Sequence, residues 1–228
     1  MTSFAQLALN LESKCTYTRE DFFRGEANNS AFCALIEKWP NWTSFSQILV
    51  GPAGSGKTHL ARIWQELSGA VFLNEAEELE KVQSDLPNRK LPIAFILDDF
   101  PFNFEEREML HLYNLVQENQ GALLILSQNF PQTWSIRLPD LRSRLLSLPV
   151  HTLQEPDDQL LEGIIRKHLS DFQLVVPEKL IYYIITRIER SFAAVQNLIR
   201  KLNVETLSQK RKVDLKLVRF CLDDCEKG

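Results

Sequence analysis

The stretch Gln47-Ile48-Leu49-Val50-Gly51-Pro52-Ala53-Gly54-Ser55-Gly56-Lys57-Thr58 decides how the chain is read. Its last eight residues spell G-x-x-x-x-G-K-[ST], a spacing that builds a phosphate cradle. The glycines let the backbone turn tightly and aim its N–H groups at phosphate oxygens where a side chain would block the approach. Lys57 is expected to reach the β/γ-phosphates and Thr58 to offer its hydroxyl to Mg²⁺. The helix that begins there points the positive end of its dipole at the anion. The binding run is therefore Gly51, Pro52, Gly54, Ser55, Gly56, Lys57, Thr58 and His59. The motif requires a strand before it and a helix after it. Residues 47–50 form a short apolar run that reads as a buried strand, and residues 58–67 continue at helical spacing.

Outward from this core, apolar strand-like runs at 47–50, 71–74, 93–97, 123–127 and 146–150 alternate with helical patterns. That alternation is the mark of βαβ units, hence an α/β fold with a parallel sheet covered by helices. After Glu155-Pro156 the strand signals vanish. Helices are expected near 157–169, 177–188, 192–207 and 213–222, the second opened by Pro177 in its first turn. The expected organisation is a leading peptide over 1–15, a nucleotide-binding α/β domain over 16–153 and a small C-terminal all-helical lid over 154–228. The lid residues Leu180, Ile184, Ile188, Val195, Leu198 and Ile199 fit helix faces packed in a core.

The chain has 228 residues, 44% hydrophobic and 25% charged, and a formal net charge of −4. A chain of this length can bury a sizeable core, and this composition is that of ordinary globular proteins. No stretch has the length of apolar residues a bilayer demands, and no basic region precedes an apolar signal core. A cytoplasmic protein without membrane contact is expected. The acidic balance argues against gripping nucleic acid by overall charge, so DNA is expected to be met only indirectly. Arg200, Lys201, Lys210, Arg211, Lys212, Lys216 and Arg219 form either a basic patch or a solvated helical face with acidic residues interspersed. Cys15, Cys33, Cys221 and Cys225 show no metal-like spacing and read as reduced thiols. The scattered His59, His111, His151 and His168 are given no proton chemistry. The Trp39-Pro40-Asn41-Trp42 segment reads as a helix cap and core filler.

Three further segments carry chemistry. Residues 93–100, Ile93-Ala94-Phe95-Ile96-Leu97-Asp98-Asp99-Phe100, are an apolar strand ending in two carboxylates. Asp98 is expected to hold the nucleotide's Mg²⁺ together with Thr58, mostly through water, and Asp99 to orient or activate the attacking water. The strand 123–127 runs into Gln128-Asn129. In such sheets the ligand crevice lies at the carboxyl ends of the strands, so Ser127, Gln128 or Asn129 either senses the γ-phosphate or merely turns toward Pro131. Residues 137–145, with Arg137, Arg142 and Arg144, are basic among apolar neighbours. Such arginines either reach a neighbouring subunit's nucleotide or pair with acids on a surface helix. Near the start of the chain, Gln6-Leu7-Ala8-Leu9-Asn10-Leu11 alternates leucines with small or polar residues, which in an extended peptide places Leu7, Leu9 and Leu11 on one side.

Together, the phosphate loop, the Asp98-Asp99 strand, the sensor-like strand, the Leu-x-Ser-Arg-Leu segment and the helical lid resemble an AAA+ protein of the DnaA initiator group. Residues 17–22, Tyr17-Thr18-Arg19-Glu20-Asp21-Phe22, with Gly25 and Asn28, look like that group's entry segment beside the adenine. The resemblance covers nearly the whole chain and ends at Gly228, where initiators continue into a helix-turn-helix DNA-binding domain that is not expected here. This form, with the short Gln-Leu-x-Leu-x-Leu peptide, is similar to the Hda-like inactivators of replication initiation, particularly those of α-proteobacteria. The resemblance implies ATP or ADP with Mg²⁺ as cofactors. It also implies docking of Gln6, Leu7, Leu9 and Leu11 on the β subunit sliding clamp of the DNA polymerase. Further, it implies presentation of Arg144, with Arg142 and Arg137 as auxiliaries, to ATP bound on the initiator DnaA. Self-assembly into a homo-oligomer is compatible with it. Two positions depart from the pattern. Gln128 stands where DnaA proteins carry Asp, and the lid arginine position falls on Ala193 or Ala194, with Arg190 and Arg200 nearby in sequence. Weak intrinsic ATPase at most, or ADP as a structural ligand, is the consequence. The alternatives from other classes are a helicase-loader-like ATPase that binds DNA directly and a small-molecule P-loop kinase.

Overall fold

The computed structural model describes residues 19, 22–73, 93–100, 105–209 and 211–225. Gln6, Leu7, Leu9 and Leu11 lie outside the described residues, as do Tyr17, Thr18, Glu20, Asp21, Asn74 and Lys210. The chain divides into two compact units, one running up to Asp157 and one from Asp158 on.

In the first unit, α1 (Glu26–Phe32) continues into a π-helical turn (Cys33–Glu37), and the elements then alternate: β1 (Ser46–Val50), α2 (Lys57–Ser68), β2 (Val71–Leu73), β3 (Ala94–Leu97), α3 (Glu106–Glu118), β4 (Ala122–Ser127), α4 (Pro139–Leu146) and β5 (Val150–Thr152). All described pairings are parallel, in the order β2-β3-β4-β1-β5. Parallel strands covered on both faces carry apolar residues at every position, since each pleat direction meets a layer of helices. Residues 48–50, 94–97 and 122–126 of the three central strands obey this. Ile48, Val50, Phe95, Leu97, Leu123 and Ile125 pack with Met109, Leu112, Tyr113 and Val116 of α3 and with Leu141 and Leu145 of α4. The alternate residues Leu49, Ala94, Ile96, Leu124 and Leu126 pack with Phe32 of α1 and with Leu60, Ile63 and Trp64 of α2. Trp42 stacks on Trp64 at 4.8 Å between ring centroids and donates its Nε1 proton to the Leu35 carbonyl, 3.1 Å away. That segment does fill core, as its sequence suggested.

One expected strand is misplaced. Residues 146–150 do not form a strand: Leu146 ends α4 and the chain joins the sheet only at Val150. Pro139 opens that helix, and Leu141 and Leu145, one turn apart, both face the core. The apolar run was the tail of a helix and a turn. The fifth strand is instead the polar-looking Val150-His151-Thr152.

The second unit contains α5 (Asp158–Asp171), α6 (Glu178–Ile185), α7 (Phe192–Gln209) and α8 (Leu215–Cys225). Side chains just before α7 and α8 satisfy first-turn donors, since the initial N–H groups of a helix have no partner within it. Ser191 Oγ accepts from Ala194 N at 3.1 Å, and Asp214 Oδ1 from Leu217 N at 2.8 Å. Pro177 sits one place earlier than expected, as the cap of α6 and not inside its first turn. Ile184, Ile188, Val195, Leu198 and Ile199 are buried in this unit, whereas Leu180 is only half-buried. Among the described residues no helix is long and apolar enough to cross a membrane.

Candidate functional site

The sheet order fixes where a ligand can lie. The chain leaves β1 toward β2 on one side and leaves β4 toward β5 on the other, so β1 and β4, neighbours in the sheet, flank a topological switch point. Their register sets Val50 beside Ser127. The phosphate loop therefore starts at the end of β4, where Gly51 N donates to Ser127 O at 3.1 Å. The turn Asp98-Asp99-Phe100 closes over the same edge, with Phe100 N donating to Leu126 O at 3.0 Å.

The loop's glycines are required by its path. Gly54 and Gly56 have φ of 69° and 93°, the left-handed region that side chains resist. At Gly51 a Cβ would stand 2.6 Å from Ser55 Oγ and 2.9 Å from Leu153 O. Lys57, only 7% exposed, donates from Nζ to the Gly51 and Pro52 carbonyls at 2.8 and 2.9 Å. Burial pushes its pKa below that of a free lysine, and the carboxylates of Asp99 and Asp98 oppose that shift. Thr58 Oγ1 donates to Asp98 Oδ2 at 3.0 Å, and Asp98 Oδ1 accepts from Asp99 N at 2.9 Å. Asp99 is exposed with φ of 52°, a left-handed conformation that Asp tolerates better than most residues.

This arrangement fits a nucleoside polyphosphate and a divalent ion. Ser55 Oγ is buried with no hydrogen-bond partner among the described residues, an uncommon state for a native hydroxyl. The buried Lys57 ammonium has two neutral carbonyls where phosphate oxygens would supply charge. Thr58 and Asp98 bring two hard oxygens together, as Mg²⁺ prefers. Among the described residues no three of His, Cys, Asp and Glu gather into a metal site, so the remaining ligands of such an ion would be phosphate and water oxygens. In P-loop proteins the metal neutralises charge that builds up during phosphoryl transfer.

The sensor-like trio is divided by the structure. Ser127 is buried, and its Oγ accepts from Trp134 Nε1 at 3.3 Å and Asn129 N at 3.2 Å, so it serves the fold. Gln128 is exposed at the end of β4. Phe22 of the entry segment lies beside the loop, 3.9 Å from where a Gly56 Cβ would stand, with the His59 ring edge-on to it at 5.3 Å. Asn28 fixes that segment by accepting from Gly25 N at 2.9 Å and donating to Phe23 O at 2.7 Å.

Arg144 lies on α4. Its Nε donates to Asp140 Oδ1 at 2.9 Å and one Nη to Asn114 Oδ1 of α3 at 2.7 Å, and its guanidinium carbon lies 5.4 Å from the Tyr113 ring centre. Its side chain is 33% exposed. The structure thus shows the ion-paired surface helix, with the side chain still partly open to solvent. Arg142 and Arg137 are exposed.

No family model matches the chain. DnaA of Thermotoga maritima is 26% identical over 91% of this chain and 52% of the relative, and DnaA of Helicobacter pylori is 23% identical over 96% and 53%. The chain thus spans about half the length of the curated relatives it matches. Among solved structures, domain III of the Thermotoga maritima DnaA superposes with a TM-score of 0.77 at 24% identity, covering 93% of this chain and 98% of that one. The chain has an AAA+ fold of the DnaA type. A DnaA solved with AMPPCP and single-stranded DNA gives 0.67 at 21% identity, covering 85% of this chain and 67% of that one. The Thermotoga maritima RuvB branch-migration motor also gives 0.67, at 17% identity, covering 91% and 71%. At the residues expected to hold the lid arginine position, Ala193 is exposed and Ala194 half-buried. Arg190 is paired with Asp158 at 2.7 Å, and Arg200 is exposed. Of the basic set at the end of the chain, Arg200, Lys212, Lys216 and Arg219 are exposed, and Arg219 Nε donates to Tyr183 Oη at 3.1 Å. Asn114, Tyr113 and Leu153 carried no sequence signal. Each matters through a partner at least 30 residues away in the chain.

Proposed function

We propose that the chain is an Hda-like regulator of replication initiation. It binds ATP or ADP with Mg²⁺ at the phosphate loop, docks on the polymerase sliding clamp through residues 6–11, and offers Arg144 to ATP held by DnaA. The observation that carries the reading is Arg144: a partly exposed guanidinium on a helix of a chain whose fold is that of DnaA domain III, beside the exposed Arg142. An arginine supplied to another subunit's triphosphate stabilises charge on the departing phosphoryl group, an effect of about 10³–10⁵ in rate. The similarity to DnaA proteins supports an adenine nucleotide and a replication role, and the net charge of −4 supports indirect use of DNA. The division into a leading clamp-binding peptide, a nucleotide domain and a lid belongs to the same reading. Gln6 would hydrogen-bond in the clamp, with Leu7, Leu9 and Leu11 as apolar anchors in a preformed groove.

The test is hydrolysis of initiator-bound ATP in the presence of the chain and of clamp loaded on DNA. Arg144→Ala should remove stimulation while leaving clamp binding intact, and deleting residues 6–11 should abolish clamp binding. Stimulation no greater than that of the initiator alone would overturn the reading. Strong intrinsic turnover driven by DNA, with a steep salt dependence of binding, would favour the helicase-loader-like ATPase instead.

A further inference from the structure

A guanidinium has five N–H donors in a rigid fork, so the groups that take some of them decide where the rest point. In Arg144 the fork is held at two places. Asp140 Oδ1 takes the Nε proton and Asn114 Oδ1 takes one Nη1 proton. Nη2 has no hydrogen-bond partner among the described residues. The two anchors differ in kind. Asp140 is one turn back on the same helix and 55% exposed, and exposed pairs at this spacing contribute little and are screened by salt. Asn114 is 30 residues distant, on α3, next to Tyr113, which is 6% exposed and packed in the sheet's core. The Phe45 ring meets Tyr113 edge-on at 5.0 Å, which fixes the surface under the guanidinium.

The same helix also fixes where α4 begins. The Glu106 carboxylate accepts from Arg137 N at 2.8 Å through one oxygen and from Leu138 N at 2.6 Å through the other, immediately before Pro139 opens α4. α3 therefore holds the entry of α4 through Glu106 and the head of Arg144 through Asn114, about two turns further on. A side chain with four rotatable bonds loses reach and orientation unless neighbours constrain it. An arginine that must meet a transferring phosphoryl group gains rate from being held in place beforehand.

We infer that Asn114 is the positioning residue for Arg144: its Oδ1, with the Tyr113 face beneath, orients the fork so that Nη2 is presented to a triphosphate held on a neighbouring subunit. This rests on the proposed role of Arg144. Asn114 touches no substrate itself and acts only through the arginine.

The experiment uses the full chain with clamp on DNA and ATP-loaded initiator, and compares Asn114→Leu, Asn114→Asp, Arg144→Ala and the double variant Asn114→Leu/Arg144→Ala. Asn114→Leu keeps the side chain's bulk and loses the acceptor, whereas Asn114→Asp keeps an acceptor. Asn114→Leu should lower the maximal single-turnover rate about tenfold without moving the half-saturating concentration, Asn114→Asp should restore most of it, and the double variant should be no slower than Arg144→Ala. Melting temperatures should agree among the variants. In parallel, solvent exchange of the Arg144 side-chain N–H signals is read by NMR on the chain alone, where Asn114→Leu should speed it. Wild-type stimulation by Asn114→Leu, or equal losses in Leu and Asp variants with a lowered melting temperature, overturns the inference. If Arg144→Ala leaves stimulation intact, the proposed function fails. The exchange measurement then still decides whether Asn114 holds the fork, and unchanged exchange in Asn114→Leu overturns that.

Discussion

His151 shows how one side chain on the fifth strand couples stability to pH. It is half-buried, and its Nε2 lies 2.8 Å from Gln47 Oε1. Gln47 Nε2 donates to Ser44 O at 3.0 Å, so Oε1 is the acceptor and His151 carries its proton on Nε2. Burial, and after it the charge of Lys38, hold the imidazole pKa below 6.5. The folded chain therefore resists a proton that the unfolded chain accepts. Stability from this site is full above about pH 6.5 and is lost as pH falls from there through the depressed folded value. Urea midpoints measured at pH 7.5 and pH 5 should differ less for His151→Gln, which keeps a donor toward Gln47, than for wild type. An equal drop in both proteins would remove His151 from the account.

At the scale of elements, two helix ends explain boundaries that the sequence conceals. After α3, Gly121 N donates to Val116 O and Gln120 N to Gln117 O; after α5, Leu174 N donates to Leu169 O and Gln173 N to Ser170 O. Both are Schellman ends, which place the residue after the cap in the left-handed region, most often glycine. Here the residues are Gln120 and Gln173, with φ of 50° and 55°. A left-handed non-glycine residue costs about 1–2 kcal/mol, partly offset on replacement by the extra freedom glycine has when unfolded. Gln120→Gly should thus stabilise by about 0.5–1 kcal/mol, read as a higher urea midpoint at unchanged m-value. Gly121 permits no such freedom, because a Cβ there would lie 2.5 Å from Ile93 O. Similarly, the run 146–150 reads as a strand from hydropathy alone, but its first residue ends α4, whose Leu141 and Leu145 pack against the sheet, and only Val150 joins a strand.

For the molecule as a whole, the phosphate loop sets function against stability. Lys57 is charged and buried, with its pKa depressed chiefly by desolvation. Relative to the unfolded chain, stability at this site is fully regained only above the ordinary lysine pKa, and at neutral pH the buried ammonium is a cost. Lys57→Met should raise the melting temperature of the ligand-free protein by about 2–4 °C for each ~1 kcal/mol relieved. The same variant should lose the stabilisation of about 2.7 kcal/mol that a nucleotide at a hundredfold excess over its Kd gives a single site. Differential scanning calorimetry with and without MgATP or MgADP checks both signs. A variant that melts lower than wild type without ligand would show that the two carbonyl bonds of Lys57 outweigh its desolvation.

Residues 47–58 and 93–100 by themselves determined that this is a parallel α/β fold with a phosphate loop and a carboxylate strand. Strand period, glycine placement and Lys-Thr spacing are local properties that a chain carries in its order of residues. The helical character of the second unit was legible for the same reason. Only the tertiary structure decided that Ser127 accepts from Trp134, that Leu153 closes over Gly51, and that Asn114 reaches Arg144. Those pairings join residues 7, 102 and 30 positions apart, across strands and helices brought together by the sheet. No periodicity encodes which distant side chain completes a hydrogen bond; the packing of the core does.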